Sequence, residues 1–282
     1  MAEFAPDPAA AVDAAASGSP VLLTARRVDD LETPVSAYLK LAADGVNTFL
    51  LESVEGGAYR GRYSAIGLDP DLVWRSDGDQ AAIARAAAPG MAPGRFEPCA
   101  QAPLESLRAL IAETRMPLPS GAPPMAAGLF GYLSYDMVRQ VERLPENAAP
   151  DPLGTPEGLL IRPRVMLIFD AIRQEILAAA PVRPRPGEDP ELQVEAARKR
   201  IEQVFARLDQ PAPGHAEGAK TPPEQPVSNM DDDAFRAMVE SARGYIRAGD
   251  IFQVVPSQRF SAPFPLAIFV FLQLPRLFHR RV

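Results

Sequence analysis

The sequence predicts a mixed α and β fold rich in strands, and three observations carry that expectation. Apolar runs of strand length (VLLTARRV, NTFLLESV, LLIRPRVMLIFD and EILAAAPV) are bounded by turn-forming residues. Between them stand segments whose apolar residues recur at helical spacing. Proline punctuates the whole: 31 in 282 residues is about twice the ordinary share of about 5%, and much of it falls at 89–124 and 181–226. The chain is thereby divided into packed blocks joined by irregular connections. At about 150 residues per domain, its length gives one large domain or two modest ones.

Residues 1–20 carry Glu3 and Asp7 where a signal peptide has positive charge, and no apolar core follows, so the segment reads as a loose leader. VLLTARRV is the first strand. Thr33 before Pro34 starts a short helix with Val35, Tyr38, Leu39 and Ala42 at helical spacing, and Gly45 ends it. Residues 47–54 read as a buried strand that delivers Glu52 and Ser53 at its far end. Gly56, Gly57 and Gly61 follow as a flexible loop, and RYSAIGLDPDLVWRSDGD reads as further strands with turns at Asp69-Pro70 and Asp77-Gly78.

After a proline-rich connection at 89–103, residues 103–114 form an amphipathic helix with Leu104, Leu107, Leu110 and Ile111 on one face. In AAGLFGYLSYDMVRQVERLP, Gly128 and Gly131 suggest close backbone approach or bulges within a sheet, and Phe130, Tyr132 and Tyr135 are expected in the core. LLIRPRVMLIFD and EILAAAPV flank a turn at 170–174 and read as a hairpin, and residues 191–208 read as a charged helix. Residues 209–227 lack periodicity and read as a linker. Beyond it Ser228 is the expected N-cap of a helix with Asp231, Asp232 and Asp233 in its opening turn. Phe235, Met238, Ala242 and Tyr245 line one face of that helix, Gly249 stops it, and IFQVVPSQRF reads as a strand.

Composition narrows the function classes. Hydrophobic residues at 47% and charged residues at 23% are those of a soluble globular protein. The most apolar window, 264–275, is far shorter than the roughly 20 residues needed to span a bilayer, so no membrane is expected. A net charge of −7 lacks the positive field that nucleic-acid binding requires. Only Lys40, Lys199 and Lys220 among the 29 basic residues are lysine, and we read the arginine excess as coding bias. Cys99 stands alone and the compartment reads as cytosolic. His215 falls in the linker and His279 in the tail, and GGAYRG lacks the spacing of a dinucleotide loop. Composition and spacing give no visible catalytic centre.

Four strings occur in a fixed order: LLES at 50–53, GRYSAIG at 61–67, GLFGYLSYD at 128–136 and YIRAGDIFQVVPSQRF at 245–260. Together they resemble anthranilate synthase component I, the large subunit that makes anthranilate from chorismate in tryptophan biosynthesis, over about residues 21–266. GDIFQVVPSQRF is the most specific part. Aminodeoxychorismate synthase component I shares the GDxxQV frame but continues with an Asn-Leu pair where this chain has Val255-Pro256.

The resemblance implies an α+β, β-rich architecture: a regulatory region at 21–208, a linker at 209–227 and the start of a chorismate-binding domain at 228–266. It implies a lyase, with chorismate aminated and pyruvate lost, using Mg²⁺ and ammonia from a glutamine amidotransferase subunit (component II), in the cytoplasm. It further implies feedback inhibition by L-tryptophan bound at the LLES segment. There Glu52 is suited to the ligand ammonium and Ser53 to a ligand polar group, while Arg62 suits its carboxylate.

In the family the catalytic histidine and the metal-binding glutamates lie beyond the segment matched by PSQRF. No catalytic or metal residue is therefore expected here, and the chain by itself is expected to be inactive. From Ala267 the tail AIFVFLQLPRLFHRRV contains no acidic residue and leaves the family pattern, so residues 267–282 are expected to be foreign, as after a frameshift. The alternatives are a tryptophan-binding or subunit-interaction module, and a non-functional truncated product.

Overall fold

The computed structural model describes residues 3–28, 31–42, 47–53, 61–87, 91–145, 154–212 and 225–263. They divide into two compact units, residues 1–213 and 214–282, and the boundary falls inside the expected linker.

The first unit is built on one antiparallel sheet. Its strands are β1 (Phe4–Ala5), β2 (Val21–Val28), β3 (Phe49–Leu51), β4 (Tyr63–Asp77), β5 (Gln80–Arg85), β6 (Glu97–Pro98), β7 (Phe130–Leu133), β8 (Gly158–Asp170) and β9 (Glu175–Val182). The order is β1-β2-β9-β8-β4-β5-β6, with β3 added to β4 and β7 to β8. Helices α1 (Pro8–Ala16), α2 (Pro34–Leu41), α3 (Pro103–Thr114) and α4 (Pro190–Leu208) complete the unit.

Successive residues of a strand point to opposite faces, and here both faces are covered. Leu23, Ile66, Leu167 and Ala178 enter a core with α1, α2 and α4. Their neighbours Leu22, Ala65, Ile168 and Leu177 enter the opposite one with Phe49, Met125 and Phe130. Burial on both sides explains why these strands read as unbroken apolar runs. On α4, Val194, Ala197, Ile201, Val204 and Leu208 follow the helical repeat and are all buried. Each large apolar side chain among them gains about 1.5–3 kcal/mol relative to exposure. Asp189 caps this helix by accepting from the Glu191 amide, and Pro190 opens it. Thr33 and Ser36 form the reciprocal capping box of α2.

Several expectations change. Residues 4–16 do not form a loose leader: β1 pairs with β2, and Ala11 and Ala15 are buried against the sheet, because alanine lets α1 approach closely. Asp69-Pro70 is not a turn. β4 runs through it with a register shift between Pro70 and Leu72, and Asp69 takes φ 50°, so the same residue types serve a bulge. The turn at Asp77-Gly78 is present, with Asp77 opposite Gln80. Tyr135 is 87% exposed and Tyr132 is 42% exposed, so only Phe130 of that trio packs into the core. Ile111 is likewise exposed on α3, whereas Leu107 and Leu110 are buried. Gly131 meets its expectation: a Cβ there would lie 1.9 Å from the Leu159 carbonyl oxygen. Gly45, Gly56 and Gly57 lie outside the described residues.

In the second unit, α5 (Asp232–Ala248) is capped by Asp231, which accepts from the Ala234 amide, so the cap lies three residues after the expected Ser228. Ser228 instead belongs to β10 (Val227–Ser228), paired with β11 (Phe260–Ser261). Gly249 ends the helix at φ 81°, as expected. Residues 251–259 are not a strand. Among the described residues β10 is the one partner on offer, and Pro256 withholds an N–H from any ladder. The tail from 264 lies outside the described residues, as do His215 and His279.

Candidate functional site

β3 runs antiparallel to β4 with Leu51 opposite Ala65, so Glu52 and Ser53 leave the strand alongside the start of β4. Arg62 stands at that same start, one residue before Tyr63. The Ser53 amide donates to the Ser64 hydroxyl oxygen at 3.0 Å, which fixes the backbone where β3 ends. Ser53 is half-buried, and its own hydroxyl has no hydrogen bond among the described residues. Glu52 is exposed, with no ion-pair partner among the described residues.

Arg62 is held from the neighbouring strand β8. Its Nε donates to both oxygens of Asp170 at 3.1 and 3.2 Å, and its Nη2 donates to Asp170 Oδ2 at 2.7 Å. Asp170, paired with Tyr63 across β4 and β8, also accepts from the amides of Ile172 and Arg173 in the following turn. One carboxylate thus closes the β8–β9 hairpin and orients the guanidinium. Hydrogen bonding from Arg62, followed by the two amides against the opposing effect of burial, holds the Asp170 carboxyl below its ordinary range. The same bond raises Arg62. The guanidinium lies 4.7 Å over the Tyr63 ring, and Nη1 stays outside the pair with Asp170.

Four residues before Ser53, Phe49 stacks on Phe130 with ring centres 4.9 Å apart and planes at 30°. Gly67 makes room for this, since a Cβ there would sit 2.2 Å from the Phe49 ring. The end of β3 and the start of β4 thus offer a carboxylate, a hydroxyl and an oriented guanidinium, with Phe49 of β3 and Phe130 of β7 paired further along the sheet. Such groups match a zwitterionic amino acid with an apolar side chain.

Of the three expected residues, the structure brings Ser53 and Arg62 to the start of β4 and leaves Glu52 exposed beside them. Sequence reasoning missed Ser64 and Asp170. Asp170 is 108 residues from Arg62, and its only local signal is an acidic residue at the end of a strand before a turn. Among the described residues no three His, Cys, Asp or Glu side chains group together. No described helix is long and apolar enough to cross a membrane.

Comparison with known proteins places this geometry in context. Residues 49–279 match the family described as chorismate binding enzyme, and the matched segment passes Ala267, where the sequence was expected to leave the family. The chain is 44% identical over 254 residues to anthranilate synthase component 1 of Cereibacter sphaeroides, which covers 90% of this chain and 50% of that protein. It is 38% identical over 245 residues to the Pseudomonas aeruginosa protein of the same name, covering 84% and 47%. The crystal structure of anthranilate synthase component I from Streptococcus pneumoniae TIGR4 shares the fold, with a TM-score of 0.55 at 24% identity over 89% of this chain and 52% of that one. The chain spans about half the length of the curated relatives it matches. Strands β3 to β9, which build the site and the sheet around it, all lie in the matched segment, and the chain belongs to the family of chorismate binding enzymes.

Proposed function

We propose that this chain carries the feedback tryptophan-binding region of an anthranilate synthase component I. In the complete protein chorismate is converted to anthranilate and pyruvate, with Mg²⁺ and with ammonia from a glutamine amidotransferase component II, in the cytoplasm. The observation that carries the reading is the end of β3. There Ser53 is anchored through its amide to Ser64 next to the oriented Arg62, in a chain 44% identical to an anthranilate synthase component 1. Glu52 receives the tryptophan ammonium, the Ser53 hydroxyl bonds a ligand polar group, and Nη1 of Arg62 takes the carboxylate while Asp170 holds the rest of the guanidinium. The Phe49 and Phe130 rings give the indole an apolar neighbour.

Equilibrium dialysis with labelled L-tryptophan tests this on the whole chain and on Ser53→Ala. The hydroxyl is worth about 1 kcal/mol, so the variant binds roughly five-fold more weakly with its circular dichroism unchanged. Equal binding by both proteins would remove Ser53 from the site. A tryptophan signal that does not saturate would end the proposal.

A further inference from the structure

Away from Ser53 and Arg62, a cavity of about 780 Å³ opens between the sheet and the first turns of α4, lined by seven arginines against four carboxylates. It stands out in a chain of net charge −7. Two Arg-Pro-Arg segments contribute to it, Arg162 to Arg164 on β8 and Arg183 to Arg185 just after β9.

The acids of the cavity are already engaged. Asp71 takes Nε and Nη2 of Arg162 at 2.8 and 3.0 Å, and Glu113 takes Arg85 and Arg162. Asp189 caps α4 and Glu188 faces Arg185 at 3.5 Å. Donors are what remain. Nε and Nη2 of Arg183 and Nε2 of Gln193 are buried without a hydrogen-bond partner among the described residues, and all belong to residues lining this cavity. Arg200 reaches the Asp69 carboxylate only at 3.9 Å, while Arg164 holds that same carboxylate at 2.8 Å. Burial, then repulsion from Arg162, pulls the Arg183 guanidinium down to about 10, and burial with Arg164 nearby lowers Arg200.

A buried guanidinium with no acceptor is unfavourable, and a site whose unpartnered groups are all donors selects a ligand that only accepts. We propose that this cavity binds a small multivalent oxyanion, the phosphoryl or polycarboxylate group of a small molecule, with Arg183, Gln193 and Arg200 as its partners. Planar guanidinium forks suit bidentate contact with such groups, and the volume is that of ordinary small-molecule sites.

Thermal unfolding of the whole chain tests the site with sodium pyrophosphate, phosphate, citrate and chloride at matched ionic strength. Pyrophosphate or citrate raises Tm saturably by about 5 °C, chloride does not, and the stronger of the two assigns the group as phosphoryl or carboxylate. Arg183→Met abolishes the shift while the anion-free protein melts no lower, because an unpaired buried charge has been replaced by an apolar chain of similar length. Arg200→Gln reduces the shift. L-Tryptophan leaves it unchanged, so this inference and the tryptophan reading fail separately. A rise of equal size with chloride, or a full shift retained in both variants, would overturn the proposal.

Discussion

Replacing Asp71 with alanine should unfold the first unit more readily by an amount that its surroundings set. The Arg162 and Asp71 side chains are 7% and 10% exposed, and the two hydrogen bonds between them are charge-assisted. Asp71→Ala strands the buried guanidinium with only its third contact, Nη1 to Glu113 at 2.9 Å. Breaking one side of a buried pair costs about 3–5 kcal/mol, and the surviving Glu113 contact puts the expected loss near the lower end, about 3 kcal/mol. For a unit of this size that is roughly a 9 °C fall in Tm. The assay is urea unfolding followed by the fluorescence of Trp74, the single tryptophan, which is fully buried and reports this unit alone. The double variant Asp71→Ala/Arg162→Met removes both charges and should regain most of the loss, since Glu113 keeps its bidentate pair with Arg85. A single variant that loses less than about 1 kcal/mol, or a double variant as unstable as the single one, would refute this reasoning.

Three further outcomes follow from the same structure. Gly131→Ala should cost about 3 kcal/mol, because φ is 154° and the new Cβ would lie 1.9 Å from the Leu159 carbonyl oxygen; faster amide exchange in β7 with the β8–β9 hairpin still protected is the expected pattern. The Glu113 carboxyl is held down to about 2 by its hydrogen bonds from Arg85, against burial and with further help from Arg162. A depressed carboxyl stabilises the fold above its unfolded value of 4.5 and loses that contribution as pH falls toward 2, so urea titrations across that window should show an acid limb that Glu113→Gln flattens. Asp170→Asn should loosen the hairpin turn and release Arg62, weakening tryptophan binding several-fold in dialysis while Trp74 fluorescence stays native; unchanged affinity would separate Arg62 from the ligand.

How far the fold is legible in the sequence depends on where each signal is stored. The β8–β9 hairpin and α4 are readable because periodicity, turn residues and caps all agree within one short window. Asp69-Pro70 misleads because a bulge and a turn draw on the same residues, and only the pairing of β4 with β8 tells them apart. The alanines of α1 give a weak apolar signal, yet small side chains allow that helix to lie close on the sheet. The strand expected at 251–260 fails for a different reason: apolar β-branched residues define a strand only where a neighbour supplies the ladder. At the site, Glu52, Ser53 and Arg62 are visible as local strings. The groups that hold them are not, since Ser64 meets Ser53 only through β3–β4 register and Asp170 meets Arg62 from 108 residues away. The arginine cavity is more dispersed still, gathering residues from β5, α3, β8, α4 and the segment after β9. The repeated Arg-Pro-Arg tripeptide is its one sequence mark, hidden in a composition where arginine excess passes for coding bias.

The most direct measurement is a calorimetric titration of L-tryptophan into the whole chain, with indole and L-alanine as matched controls. The proposed site offers a carboxylate, a hydroxyl and an oriented guanidinium to the amino-acid end of its ligand and the Phe49 and Phe130 rings to the indole, so it needs both halves. The account predicts saturable heat for L-tryptophan at about one ligand per chain, and none for indole or alanine at millimolar concentration. No heat from L-tryptophan at millimolar concentration, or equal heat from indole, would contradict it.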